Sequence, residues 1–212
     1  MVKVEIIPAI LEIDKDSIEQ KLRAVAAYVS WVHIDVFDGS LSSRKTVVEA
    51  EYYAGLIRQY PDCSFEAHLF VANPEKYIGP FADAGFSRLI AHVESNDPRR
   101  FLHEAQYNEV EVCIAIDGAT EVHEVEPFLE EIDGVVVVMK ELGVENGIFL
   151  PEAVERIKLI RQNYPDLPIT AAGGINNDTV KLIREAGATR LVVGTYIFGN
   201  SGQEKDAIET LS

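Results

Sequence analysis

The sequence predicts a (β/α)8 TIM barrel of the α/β class, one domain over residues 1–212. Three observations carry that expectation. Short runs of β-branched and apolar residues recur eight times, each followed by a polar turn and then a stretch with helical spacing. Runs such as "VVVVM" are apolar at successive positions, as in parallel strands covered on both faces. Eight such units in 212 residues fit a compact barrel, near the lower end of the usual range of about 200 to 400. An open doubly wound sheet would prefer a glycine-rich dinucleotide fingerprint after the first strand, and "PAILEIDKD" has none.

Taken in order, the first strand is "VEIIPAIL" from Val4, and the helix "DSIEQKLRAVAAYV" follows it with Asp16 and Ser17 placed to cap it. The second strand, "WVHIDVF" from Trp31, runs into "DGSLSSRKT", the most loop-like stretch of the chain. The third is "SFEAHLF" from Ser64, followed by the helix "PEKYIGPFADAG", which Asn73-Pro74 opens and Gly85 closes with a left-handed residue. The remaining strands are "SRLIAHV" from Ser87, "EVCIAID" from Glu111, "GVVVVM" from Gly134, "PITAAG" from Pro168 and "RLVVGT" from Arg190. Two more helices stand out among them, "PEAVERIKLIRQ" and "NDTVKLIREAGA", the second closed at Gly187.

Composition narrows the partners. Nineteen basic against 35 acidic residues give a formal charge of −16 with no dense basic cluster, which argues against nucleic acid and anionic membrane. Cys63 and Cys113 form no spaced set, so neither a disulfide framework nor a zinc knuckle is expected and a reducing cytoplasm suits the chain. The first residues lack the pattern of a signal peptide, and no apolar run reaches transmembrane length.

A barrel of this kind places its active site at the C-terminal ends of the strands, so polar residues late in strands are the ones to collect. His33 and Asp35 are two apart and share one face of the second strand. His68 falls late in the third, with Glu66 two residues earlier on the same face. Two imidazoles and a carboxylate from adjacent strands are a ligand set for one divalent cation such as Zn, Fe, Mn or Co. His92 ends the fourth strand at the mouth, whereas His103 and His123 lie in helical stretches and are expected in solvent. Near the C-terminus, "AAGGIN" and "VVGT" close the last two strands, where barrels of this class often bind phosphate. Gly173, Gly174, Gly194 and Thr195 are the candidate phosphate donors. Asp38, before Gly39, reads as a turn residue. The serines and Arg44 of the loop after the second strand suit a polar lid or an exposed loop equally well.

The same residues carry a resemblance. "PAILEID", "HIDVFDG", "AHLFVANPEKYI", "GIFLPEAVERI" and "AGGINNDTVKLIREAGATRLVVGTYIF" resemble, in order and spacing, motifs of the ribulose-phosphate 3-epimerase family over nearly the whole chain. The resemblance implies a barrel of the ribulose-phosphate-binding type, a phosphorylated ketose such as a pentulose 5-phosphate as partner, and proton exchange at carbon 3 through an enediolate. It also implies a divalent metal held by His33, Asp35 and His68, with Asp35 doubling as one of two acid/base carboxylates, and a homodimer as the default assembly.

Departures from the family pattern bear on the chemistry. Where the family reads "VDGGI", supplying a fourth ligand and the second aspartate, this chain reads "AAGGI" with Ala172, which can neither ligate nor carry a proton. A family serine is Ala9, the segment after "DG" becomes "SLSSRKT", the glycine-rich loop after the sixth strand becomes "KELGVENG", and shielding methionines become Phe37 and Phe70 while Met139 remains. Three readings follow. The chain is an epimerase or isomerase with Asp35 as base and Lys140, Glu141 or Glu12 as substitute acid. Alternatively, Lys140 forms a Schiff base in an aldolase-like reaction. In the third reading the chain is a non-catalytic relative that binds a sugar phosphate, against which stands the cost of keeping buried ionisable groups in an abandoned site.

Overall fold

Strand residues two apart share a face, so the strand register decides which side chains meet inside a closed sheet. The computed structural model describes residues 4–140 and 148–212. Its strands are β1 (Glu5–Ile10), β2 (Trp31–Phe37), β3 (Ser64–Phe70), β4 (Arg88–His92), β5 (Glu111–Ile116), β6 (Gly134–Val138), β7 (Ile169–Ala172) and β8 (Arg190–Val193). They pair in parallel, each with the next and β8 with β1, in a closed barrel. The helices are α1 (Lys15–Val25), α2 (Ala50–Ile57), α3 (Ile78–Ala84), α4 (Pro98–Ala105), α5 (Pro151–Asn163), α6 (Val180–Ala186), α7 (Thr195–Phe198) and α8 (Glu204–Leu211). None of the described helices is long and apolar enough to cross a membrane.

The outward strand faces and the inner faces of the helices form one large apolar layer; α1, for example, buries Ile18, Leu22 and Val25, a 3.6-residue stripe. The barrel interior is separate. Ile7, Ile90, Cys113, Ala115, Val136, Ala172 and Val192 form a small apolar plug. Charged residues lie toward the N-terminal ends of the strands, where the register aligns His33, Glu66, Arg88 and Glu111 across β2 to β5. Arg88 is 1% exposed, forms close ion pairs with Glu66 and, at 2.7 Å, with Glu111, and stacks 3.9 Å from the Trp31 ring.

Four local expectations are corrected. The cap of α1 is Asp14, whose Oδ1 accepts from Ser17 N–H at 2.8 Å, not Asp16 or Ser17. Three capping residues within four positions compete there, and Asp14 is the one in extended backbone. The stretch from Pro74 is a 3-10 turn (Pro74–Tyr77) before α3, because proline fits only the first turn of a helix and Pro80 needs a first turn of its own. After β5 the chain makes only 3-10 turns, at Val122–Glu124 and Glu126–Phe128, since Pro127 and the short span to β6 leave no room for a helix. "NDTVKLIREAGA" becomes helical only at Val180, because Asn176 Oδ1 accepts from the Asp178 and Thr179 N–H groups and holds a turn. The C-caps Gly85 (φ 102) and Gly187 (φ 108) stand as expected.

Arg88→Met leaves the buried Glu66 without its guanidinium partner. It should lower the unfolding free energy by about 3–5 kcal/mol, read as a fall in the urea midpoint with an unchanged m-value. An unchanged midpoint would show that this interior pair is dispensable.

Candidate active site

The loop after β2 folds back on its own strand and fixes the strand end. Thr46 Oγ1 donates to the Asp35 carbonyl at 3.0 Å and accepts from Phe37 N–H at 3.0 Å, while Thr46 N–H donates to the Phe37 carbonyl at 2.9 Å. Asp38 holds the turn as expected: it accepts from Ser40 N–H at 2.8 Å and from the Tyr77 hydroxyl at 3.0 Å, with Gly39 left-handed at φ 88. Asp35 is thereby presented, 14% exposed, at the inner rim.

His33, Asp35 and His68 meet there. His33 Nε2 lies 3.1 Å and His68 Nδ1 3.7 Å from Asp35 Oδ1, the two rings stand edge to face with centroids 5.2 Å apart, and one donor atom from each residue falls within 4.8 Å of the others. Two nitrogens and a carboxylate oxygen at these separations make a candidate cation site. Glu66, on the face shared with His68, is not part of this set. Its Oε1 accepts from His33 Nδ1 at 2.6 Å and its Oε2 pairs with Arg88, so it orders the His33 ring from behind.

Electrostatics differ at the two imidazoles. Burial opposes a charge on His33, but Asp35 and Glu66 outweigh it and push its pKa up to about 9. Burial, with His92 and His33 nearby, drives His68 well below the ordinary 6.5. Burial also works against the Glu66 carboxylate, yet its bonds to His33 and Arg88 leave its pKa lowered.

Aromatic rings wall one side. Phe70 packs 4.0 Å from the His68 ring and stacks on Phe37 at 4.2 Å with planes 4° apart. Across the mouth, Ala172 ends β7 at 6% exposure. Lys140 follows β6, and its stem lies over the start of the next turn: a Cβ on Gly173 would sit 3.6 Å from Lys140 Cδ. Gly173 and Gly174 have φ of 88 and 68, and a Cβ on Gly174 would also crowd Phe149 at 3.1 Å, so glycine is required. The Gly173 N–H is already engaged by the Val192 carbonyl at 3.4 Å. Gly194 precedes α7, whose first residue is Thr195.

The other expected residues fall elsewhere. Glu12 forms a close ion pair with Lys21 of α1. Glu141 lies outside the described residues. His103 and His123 are exposed, and Cys63 and Cys113 are free thiols. His92, expected at the mouth, is 0% exposed, with Nε2 at 2.9 Å from His68 Nε2 and Nδ1 at 2.9 Å from Glu94 Oε2. Glu94 and Thr46 were not anticipated. Glu94 was detectable, since it continues the inward alternation of His92 past the strand end.

The chain is similar to known proteins over nearly its whole length. The model of the ribulose-phosphate 3 epimerase family matches residues 5–198. A ribulose-phosphate 3-epimerase of Schizosaccharomyces pombe (strain 972) is 31% identical over 209 residues, covering 97% of this chain and 91% of the relative. A cytoplasmic isoform from Oryza sativa subsp. japonica is 30% identical, covering 84% and 79%. Among solved structures, 3-hexulose-6-phosphate synthase superposes with a TM-score of 0.74 at 16% identity over 98% of both chains. KGPDC from Streptococcus mutans gives 0.76 at 12% identity, covering 99% of this chain and 95% of that one. These two structural likenesses establish the fold.

The two imidazoles impose opposite pH slopes on the metal-free protein. The raised pKa of His33 contributes stability that is fully present below pH 6.5 and lost as pH rises to about 9. The lowered pKa of His68 means that the unfolded chain takes up a proton the native state refuses, so stability also falls as pH drops below 6.5. Urea unfolding across pH 5–9 should therefore peak near pH 6.5, with the alkaline limb flattened in His33→Gln and the acid limb in His68→Gln. A profile identical in all three proteins would contradict this assignment.

Proposed function

This chain belongs to the ribulose-phosphate 3-epimerase family, and on that premise we propose that it is a sugar-phosphate isomerase exchanging the carbon-3 proton of a pentulose 5-phosphate with Asp35 as base. The observation that carries the proposal is the inward-facing set His33, Asp35 and His68, with one donor atom each within 4.8 Å.

The donor set fits a divalent cation such as Zn, Fe, Mn or Co: His33 Nε2, an Asp35 oxygen and His68 Nδ1 would hold it, and Glu66 behind His33 is the kind of carboxylate partner such sites carry. Such a cation, when bound, supplies positive charge for the enediolate oxygens. Asp35, clamped through Thr46, takes the proton from carbon 3. Phe37 and Phe70 keep water from that side of the substrate.

Lys140 is the substitute for the aspartate missing at Ala172. It continues the inward alternation Val136, Val138, Lys140 on β6, which stands four strands from β2 in an eight-stranded barrel and so faces it. Its stem also covers the end of β7. The ammonium gives its proton to the opposite face of the enediolate, leaving a protonated Asp35 and a neutral amine. Proton exchange with solvent then restores both groups. Gly174, Gly194 and Thr195 hold the phosphate at the ends of β7 and β8, with Gly173 shaping the turn. Residues 1–212 act as one barrel domain, and the free thiols suit the cytoplasm.

D-ribulose 5-phosphate in D2O tests the reading. Wild type should place deuterium at carbon 3 and form the carbon-3 epimer, and Asp35→Asn should lose both by a factor of about 10³ or more. Lys140→Met should still wash deuterium into the substrate while losing inversion by about 10²-fold or more. Inversion undiminished in Lys140→Met would remove lysine from the role, and no carbon-3 exchange in wild type supplied with Zn or Mn would overturn the proposal. Elemental analysis is a separate check, expected to give about one divalent metal per chain, lost in His33→Ala and His68→Ala.

A further inference from the structure

Building on the cation site proposed above, only one nitrogen of His68 has a task, and the other points away from the site into a buried chain of polar groups. His68 Nε2 lies 2.9 Å from His92 Nε2, and His92 Nδ1 lies 2.9 Å from Glu94 Oε2. The two ring planes are within 2° of parallel with centroids 4.9 Å apart. Since the Nε2 atoms are only 2.9 Å apart, the rings meet edge to edge, as an in-plane N–H···N bond requires. Both rings are 0–1% exposed, so the order of protons along the chain is set by what lies at its ends.

One end is Glu94. Its Oε1 accepts from the Asp117 N–H at 2.9 Å and, closely, from the Thr120 hydroxyl. With its two oxygens taking the Asp117 N–H, the Thr120 hydroxyl and the His92 ring, Glu94 has the surroundings of a carboxylate. As a carboxylate it can only accept, so His92 Nδ1 must carry a hydrogen. For His68 Nδ1 to be bare, its Nε2 must carry the hydrogen and donate to His92 Nε2, which is then a lone pair. That bare nitrogen is the one 3.7 Å from Asp35 Oδ1. The reverse order, with His92 donating from both nitrogens, leaves the His68 hydrogen on Nδ1 and no lone pair there for a cation.

We infer that Glu94 is a positioning residue which, through His92, fixes His68 in the tautomer with Nε2 protonated and Nδ1 free to act as the metal donor. Glu66 contacts His33 Nδ1 directly in the same outer position, so with a cation bound the two imidazoles would offer opposite nitrogens, Nε2 from His33 and Nδ1 from His68. The chain of three side chains reaches from the cation site to the rim, where Glu94 is 23% exposed.

Two-bond 15N–1H correlation spectra of the metal-free, 15N-labelled protein read the tautomer directly. Wild type should show His68 protonated at Nε2 and bare at Nδ1, and Glu94→Gln, whose amide oxygen still accepts from His92, should show the same. Glu94→Leu should give a mixture or the reversed tautomer. Zn²⁺ affinity, measured by competition with a chromophoric chelator, should fall about 10- to 100-fold in Glu94→Leu and within about threefold of wild type in Glu94→Gln. A wild-type His68 protonated at Nδ1 overturns the inference and needs no variant to be seen. A folded Glu94→Leu with the wild-type tautomer and Zn²⁺ affinity overturns it equally. A wild type that takes up no Zn²⁺ would instead sink the metal reading, and the tautomer spectra would still decide the ordering of the chain.

Discussion

The Glu66 carboxylate is the joint on which the interior of this barrel depends. One oxygen takes the Arg88 guanidinium and the other takes His33 Nδ1, so a single side chain at 1% exposure links the charged layer of the barrel to the rim chemistry. Burying a carboxylate alone would cost several kcal/mol, and with two cationic or donor partners the penalty is largely offset. The arrangement gives little net stability over an apolar plug, but it fixes geometry. Arg88 is itself held by Glu111 and Trp31, and therefore so is the orientation of the His33 ring that faces Asp35.

From that joint the site follows by strand register. The pairing His33↔Glu66 and Asp35↔His68 places an imidazole and a carboxylate alternately on two neighbouring strands. Every second residue faces inward, so four polar side chains converge without any insertion or irregular backbone, and loops need only hold the ends in place. Thr46 does that for β2 with three hydrogen bonds. The site belongs mostly to rigid strands and only at its rim to loops, which suits proton transfer between groups that must hold their separation within fractions of an ångström.

How much of this was legible in the sequence depended on whether the deciding interaction was local. The inward face of "HIDVF" and "FEAHLF", the β/α alternation and the caps at Gly85 and Gly187 follow from two-residue or 3.6-residue periods and from the left-handed backbone glycine alone tolerates. The choice of Asp14 over Asp16 was not legible, because it depends on which of several neighbouring residues is extended. The missing helix between β5 and β6 was hidden because "EVHEVEPFLEE" carries helical spacing whose length is decided by the barrel closing around it. Glu66 was placed on the correct face, but its partner Arg88 was not legible because it lies on another strand. The link from His68 to His92 and Glu94 depends on how β3 and β4 are staggered, and a single sequence carries no stagger.

The loss of the aspartate at Ala172 takes on a different meaning in this frame. Where the family pattern it resembles has an aspartate, this chain has an alanine without a carboxylate, and the Lys140 stem lies beside it over Gly173. A carboxylate pair must be kept from repelling, so one member needs a proton or a metal between them; a carboxylate facing an ammonium begins with opposite charges and one proton already placed for donation. The two arrangements make different demands on the cation site. With one anionic ligand fewer than the family pattern, the burden of holding a metal would fall on the basicity and orientation of the imidazoles. Glu66 behind His33 and the His92–Glu94 pair behind His68 stand where they would act on that property.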